Sequence, residues 1–159
     1  MGCGSGVGVE IVIFFAKTMT DIKLLTKHQL NEFTSLLEEI NEGPLGIEVV
    51  RRLGEDFALG RYIGFLLYNE GALAGMAATL ETYSVVHARK ILNLDELYVR
   101  SQSRGKGLGK RLFDRVVEYA RASGYMRLEW RAEKNNTAAG HLYAQYETDT
   151  NWTYYVMKL

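Results

Sequence analysis

Cysteine, proline and net charge are the scarce quantities in this sequence, with one Cys, one Pro and a formal charge of zero across 159 residues. A lone Cys3 excludes an intrachain disulfide and a cysteine-based metal site, and makes a reducing cytoplasm the default setting. It also leaves no thiol near the segments discussed below to carry an acyl group. His28, His87 and His141 are too scattered in sequence to suggest a metal centre, so no metal is expected. A single proline, without internal repeats or low-complexity blocks, argues against a proline-rich linker. The longest apolar run near the start, residues 9–16, is too short to span a bilayer and contains Glu10. It lacks the basic flank of a signal peptide, and Gly6 breaks the myristoylation pattern. No membrane partner is expected. Zero net charge and the absence of a basic stripe interleaved with aromatics discount nucleic acid.

What is present is enough for one domain. With 47% apolar and 24% charged residues, the chain can bury a core of its own. Residues 1–18 begin with alternating glycines and read as an extension. Residues 19–159 read as the domain, with Met19-Thr-Asp-Ile-Lys-Leu a natural way into a first strand. Charge is unevenly divided. Residues 1–80 hold 10 acidic and 6 basic side chains (−4), and residues 81–159 hold 9 and 13 (+4). The basic excess gathers between Arg100 and Arg115 and predicts an anionic ligand on the C-terminal half.

Periodicity predicts strands over 22–25, 63–69, 72–82, 91–99, 127–132 and 152–158. Helices are predicted from Thr26 or Asn31 to about 41, over 47–53, from Leu108 onward, and over 137–146. Glu70-Gly71 signals a hairpin. The order β-α-α-β-β-β-α-β-α-β predicts an α+β domain with a mixed central sheet flanked by helices.

The most informative stretch runs from Leu97 to Leu112. A strand enters a loop with glycines at 105, 107 and 109, and a helix with the apolar stripe Leu108, Leu112, Val116, Val117 and Ala120 follows. Glycines let backbone N–H groups approach an anion, and a helix N-terminus adds unpaired N–H groups and its dipole. Arg104, Lys106, Lys110 and Arg111 add positive charge, so the loop reads as a phosphate cradle. The G-x-G-x-G period is not the dinucleotide G-x-G-x-x-G, and Arg111 after Lys110 is not a Walker A ending.

With its flanks, Gln102-x-x-Gly105-x-Gly107 resembles the pyrophosphate loop of the GNAT superfamily of acetyl-CoA-dependent N-acetyltransferases. Asn136-x-x-Ala139-x-x-Leu142-Tyr143 resembles a second GNAT signature, and the element order agrees over roughly residues 20–159. The resemblance implies acetyl-CoA as cosubstrate. Arg104, Gly105, Lys106, Gly107, Leu108, Gly109 and Lys110 would hold its pyrophosphate, and the strand edge Leu97, Tyr98 and Val99, with Asn136, its pantetheine arm. Tyr143 would border the thioester and act as general acid. An attacking amine must lose a proton. Of the adjacent Asp95 and Glu96, which a regular strand would point to opposite faces, Asp95 is the expected base: it shares parity with Leu97 and Val99 and matches the family's acidic position.

Thr82-Tyr83 with Leu94-Asp-Glu-Leu-Tyr-Val is similar to a narrower group, the diamine (spermidine/spermine) and thialysine acetyltransferases. This implies a small amine acceptor, a polyamine or lysine-like amino acid, met by Glu39, Glu42, Tyr83 and Glu96. A protein or peptide amine, and a non-catalytic coenzyme-binding module, are the competing readings. Two departures stand out: Ser84 replaces the Asp common after the Thr-Tyr pair, and Glu147 stands where a helix-ending glycine is usual. GNAT proteins often dimerise, and the tyrosine-rich C-terminal strand is a candidate homodimer interface.

Overall fold

The computed structural model describes residues 19–159. The expected extension, residues 1–18, lies outside the described residues. Glu70 and Gly71 both adopt the left-handed backbone, at φ 54° and 79°, as a two-residue hairpin turn requires. They join strand β2 (Ile63–Asn69) to β3 (Ala72–Ser84). With β1 (Thr20–Leu24) and β4 (Arg89–Val99) these form an antiparallel meander, and β5 (Leu128–Trp130) adds to β4 in parallel. The sheet is therefore mixed, in the order β1-β2-β3-β4-β5.

Strand alternation feeds two cores, one on each face. Phe65, Leu67, Leu92 and Leu94 pack against Leu108, Leu112, Phe113 and Val116 of helix α3 (Leu108–Ala122). On the opposite face, Leu66 and Met76 meet Phe33 and Leu36 of helix α1 (Leu30–Ile40). Each fully buried Leu or Phe contributes about 1.5–3 kcal/mol. Among the described residues, no helix is long and apolar enough to cross a membrane.

Several elements differ from expectation, among them the last helix, which stops at Tyr143 rather than 146. Helix α2 (Ile47–Ala58) passes Gly54 rather than stopping at 53, because Arg51 bridges Glu48 and Glu55 across the turns flanking the glycine and Phe57 continues the apolar side. Strand β5 is shorter than 127–132. The strand expected over 152–158 does not form: those residues have no regular structure, and Trp152, Tyr154, Tyr155, Val156 and Met157 are exposed. Helix α4 (Thr137–Tyr143) closes on Ala144 in right-handed backbone, φ −61°, and Glu147 does not adopt a positive φ. Without a glycine there, the chain makes no left-handed reversal to bring it back to the sheet.

Candidate active site

Strands β4 and β5 pair only from Leu92↔Leu128 to Leu94↔Trp130. Beyond Leu94, β4 continues to Val99 with β3 on one side, while the chain after Trp130 leaves toward α4. The sheet splays there into a cleft of about 950 Å³. Its walls are β4 from Asp95 to Val99, the glycine loop with the start of α3, and α4. Among the described residues, the β4 amides facing this gap have no strand partner, so they can bind an extended ligand.

The carboxylates at the β5 end are set by a β-bulge. Thr79 pairs with Leu94 and Ala78 with Glu96, which leaves Asp95 as the extra residue. Leu94 and Leu97 consequently share a core face, and simple alternation no longer tells Asp95 from Glu96. The parity argument for Asp95 therefore fails, and both residues line the cleft. Asp95 accepts a hydrogen bond from Arg131 Nη2 at 3.1 Å. Burial, with the neighbouring Asp95 charge, pushes the Glu96 carboxyl above its ordinary value, against a smaller opposing effect of Arg131. Glu96 is thus a carboxylate of raised basicity on the cleft wall.

At the other end, Gly105 and Gly107 take φ 75° and 72°, and Gly107 is the N-cap of α3. Leu108, Gly109 and Lys110, in the first turn of α3 where N–H groups lack intrahelical partners, line the cleft. Gly109 itself has room for a side chain: a Cβ there would make ordinary contact with Val99 Cγ2 at 3.9 Å. The expected ring of cations is thinner than the sequence suggests. Arg104 donates from Nε to the Val99 carbonyl at 2.9 Å, Lys110 pairs with Asp114 at 2.8 Å, and Arg111 turns away to Thr20 Oγ1 at 2.7 Å. Lys106 does not line the cleft. What the loop chiefly offers an anion is therefore its backbone N–H groups.

Tyr143 forms the wall between the two ends, its ring 5.2 Å from Phe113 and 5.1 Å from Trp130. Burial raises its phenol above the usual value, so it remains a proton donor at neutral pH. Among the described residues its hydroxyl has no hydrogen-bond partner. Asn136 caps α4, accepting from Ala139 N at 3.0 Å, and its amide group borders the cleft.

Residues 30–146 match the model of the acetyltransferase (GNAT) family. The chain belongs to that family. It is 33% identical over 91 residues to the uncharacterized N-acetyltransferase YhfO of Bacillus subtilis (strain 168), a match covering 56% of this chain and 61% of that protein. It is 29% identical over 116 residues to the thialysine N-epsilon-acetyltransferase of Caenorhabditis elegans, covering 73% and 68%. Among solved structures, the aminoglycoside N-acetyltransferase AAC(6')-Iy in complex with CoA shares the fold with a TM-score of 0.73 and 17% identity, over 89% of this chain and 97% of that one.

The GNAT cleft gathers most of the expected residues: Asp95, Glu96, Leu97, Tyr98, Val99, Arg104, Gly105, Gly107, Leu108, Gly109, Lys110, Asn136 and Tyr143 all line it. Three expected acceptor residues do not reach it. Glu39 is held by Arg100 at 2.6 Å and by the Tyr98 hydroxyl at 3.1 Å. Glu42 ends α1 outside the cleft, with a left-handed φ of 54°. Tyr83 pairs with Lys90 near the far end of the β3–β4 hairpin and is 58% exposed. Arg131, Glu133 and His141 line the cleft without having stood out in the sequence. For Arg131 the signal is register: extending Leu94↔Trp130 by one residue sets it opposite Asp95.

Proposed function

We propose that this GNAT chain transfers the acetyl group of acetyl-CoA directly to a primary amine of a small cationic acceptor, a polyamine or lysine-like amino acid, in a ternary complex. The observation that carries this reading is one cleft holding an anion cradle, an unpaired strand edge, a half-buried carboxylate and a protonated phenol. The CoA complex of a protein with the same fold supports the cosubstrate, and the thialysine-acetylating relative supports an amine acceptor.

Acetyl-CoA supplies an activated thioester. In this reading the amides of Gly105 to Lys110 hold its pyrophosphate, and the free edge of Leu97 to Val99 aligns its pantetheine amides. Asn136 adds its amide group. Glu96 takes the proton that the acceptor ammonium must lose, through water, while Asp95 holds Arg131. The amine nitrogen forms the new N–C bond, a β4 N–H steadies the developing oxyanion, and the C–S bond breaks. Tyr143 gives its proton to the departing sulfur.

A peptide or protein amine is the second reading, favoured by the dispersal of the acidic rim: Glu39 is neutralised by Arg100, and Glu38 accepts from Leu45 N. A cytoplasmic setting and a homodimer through the C-terminal segment belong to the first reading. Residues 1–18 are assigned outside the domain, so a chain starting at Met19 should keep its activity. The test is thiol release from acetyl-CoA with spermidine, spermine, diaminopropane, lysine, thialysine and a lysine peptide. Turnover of a small amine supports the reading; turnover of the peptide alone replaces it. Silence with acetyl-CoA still bound would favour a non-catalytic coenzyme-binding module.

A further inference from the structure

The carboxylate end of the cleft holds a cation that the proposed chemistry does not use. Arg131 follows β5 directly and lines the cleft beside Asp95, Glu96 and Glu133. Its side chain is half exposed, at 51%. The guanidinium is fixed on two sides: Nη2 donates to Asp95 Oδ1 at 3.1 Å, and Nη1 donates to the Tyr154 hydroxyl. The Tyr154 ring lies 4.5 Å from its central carbon, a cation–π contact. Nε has no partner among the described residues. It shares the outer guanidinium edge with Nη2, the geometry that receives a carboxylate.

Arg131 is badly placed to serve the anion cradle. Four residue steps along the strand take Asp95 to Val99, about 13 Å at the usual rise per residue, and the cradle begins at the Val99 end, where Arg104 binds the Val99 carbonyl. Its position beside Glu96 puts it at the acceptor. A bare di- or polyamine could be drawn by the carboxylates there, but it would leave Arg131 Nε without a partner. An acceptor carrying both charges would place its ammonium near Glu96 and its carboxylate on Arg131.

We infer that the acceptor bears a carboxylate as well as the reacting amine, an amino acid of the lysine type rather than a bare polyamine, and that Arg131 binds that carboxylate. This rests on the N-acetyltransferase reading above. The experiment compares kcat/KM for lysine with cadaverine, and for thialysine with its decarboxylated analogue, in the wild type, Arg131→Gln and Arg131→Lys. The ratio within each pair is the readout, since releasing Asp95 changes the rate with both members.

The expected wild-type preference for the amino acid is about tenfold or more, as for a charge-assisted hydrogen bond. It should collapse to near unity in Arg131→Gln and survive in part in Arg131→Lys. Equal or better turnover of the decarboxylated amine by the wild type would overturn the inference and leave the acetyltransferase reading standing. A preference that persists in Arg131→Gln would overturn the role of Arg131. Absence of turnover with every amine would reject the small-amine reading, and this inference with it.

Discussion

Arg100 grips Glu39 across the molecule, with Nη2 2.6 Å and Nε 2.9 Å from the same carboxylate oxygen, Oε1. The Tyr98 hydroxyl donates to the other oxygen at 3.1 Å, and Arg100 Nη1 donates to the Leu73 carbonyl at 2.8 Å. The end of α1 is thereby fastened to the end of β4, just before the glycine loop. A residue that reads in sequence as part of an acceptor rim here ties two elements together.

Glu39→Gln is expected to cost about 0.5–1 kcal/mol at neutral pH, the worth of a partly exposed ion pair. The hydrogen bond from Arg100 holds the Glu39 carboxyl below its ordinary 4.5, with burial opposing and Tyr98 assisting. The stabilisation is therefore present above the unfolded-state value and is lost as pH falls through the lower folded value. Urea unfolding of wild type and variant at pH 7 and pH 3 should show a gap that narrows in acid. A gap of equal size at both would refute the ionic role.

Tyr143→Phe retains the ring packing on Phe113 and Trp130 and removes only the hydroxyl. Turnover should fall by about 10²-fold or more, while acetyl-CoA affinity stays within about threefold. Steady-state kinetics with calorimetric binding of acetyl-CoA checks both. Unchanged turnover would remove Tyr143 from proton transfer.

The kcat/KM profile should have an acidic limb governed by Glu96. Because burial and Asp95 raise its pKa above 4.5, the rate should rise with pH through a midpoint higher than that of an ordinary glutamate. Asp95→Asn removes a like charge and should move that midpoint to lower pH, whereas Glu96→Gln should abolish the limb. A midpoint unmoved by Asp95→Asn would show that another group controls the limb.

Gly75 lies opposite Val99, and a Cβ there would stand 2.3 Å from the Tyr98 carbonyl oxygen. Gly75→Ala must displace β4 at the coenzyme edge. It should destabilise the fold by about 1–3 kcal/mol and weaken acetyl-CoA binding, measurable by thermal unfolding and calorimetry. Gly140→Ala, in α4 with nothing within 4 Å of its Cβ, is the control that should do neither.

Much of this was legible in the chain. The phosphate loop, the α3 stripe and the Glu70-Gly71 hairpin declare themselves through local rules: glycine for positive φ, a 3.6-residue period for a helix face, alternation for a strand. The acceptor end was less legible because it depends on pairing. Alternation singled out Asp95, and one bulged residue in β4 removed that distinction. The cluster of Glu at the end of α1 reads as a substrate rim, but Arg100, 61 residues away, holds Glu39. The sequence also suggests a ring of cations, yet Arg111 reaches Thr20 instead, and Arg104 ties its Nε to the Val99 carbonyl while still lining the cleft.

The sequence by itself determined most of the elements from β1 to α4, their order and the glycine loop before α3, because each is fixed by residues a few positions apart whose backbone preferences are intrinsic. Tertiary structure alone decided where the sheet opens, which carboxylate is half buried and that Arg131 faces Asp95. Those follow from strand register and bulge position, which are set by long-range packing of two cores against one sheet and leave no local signature in the chain.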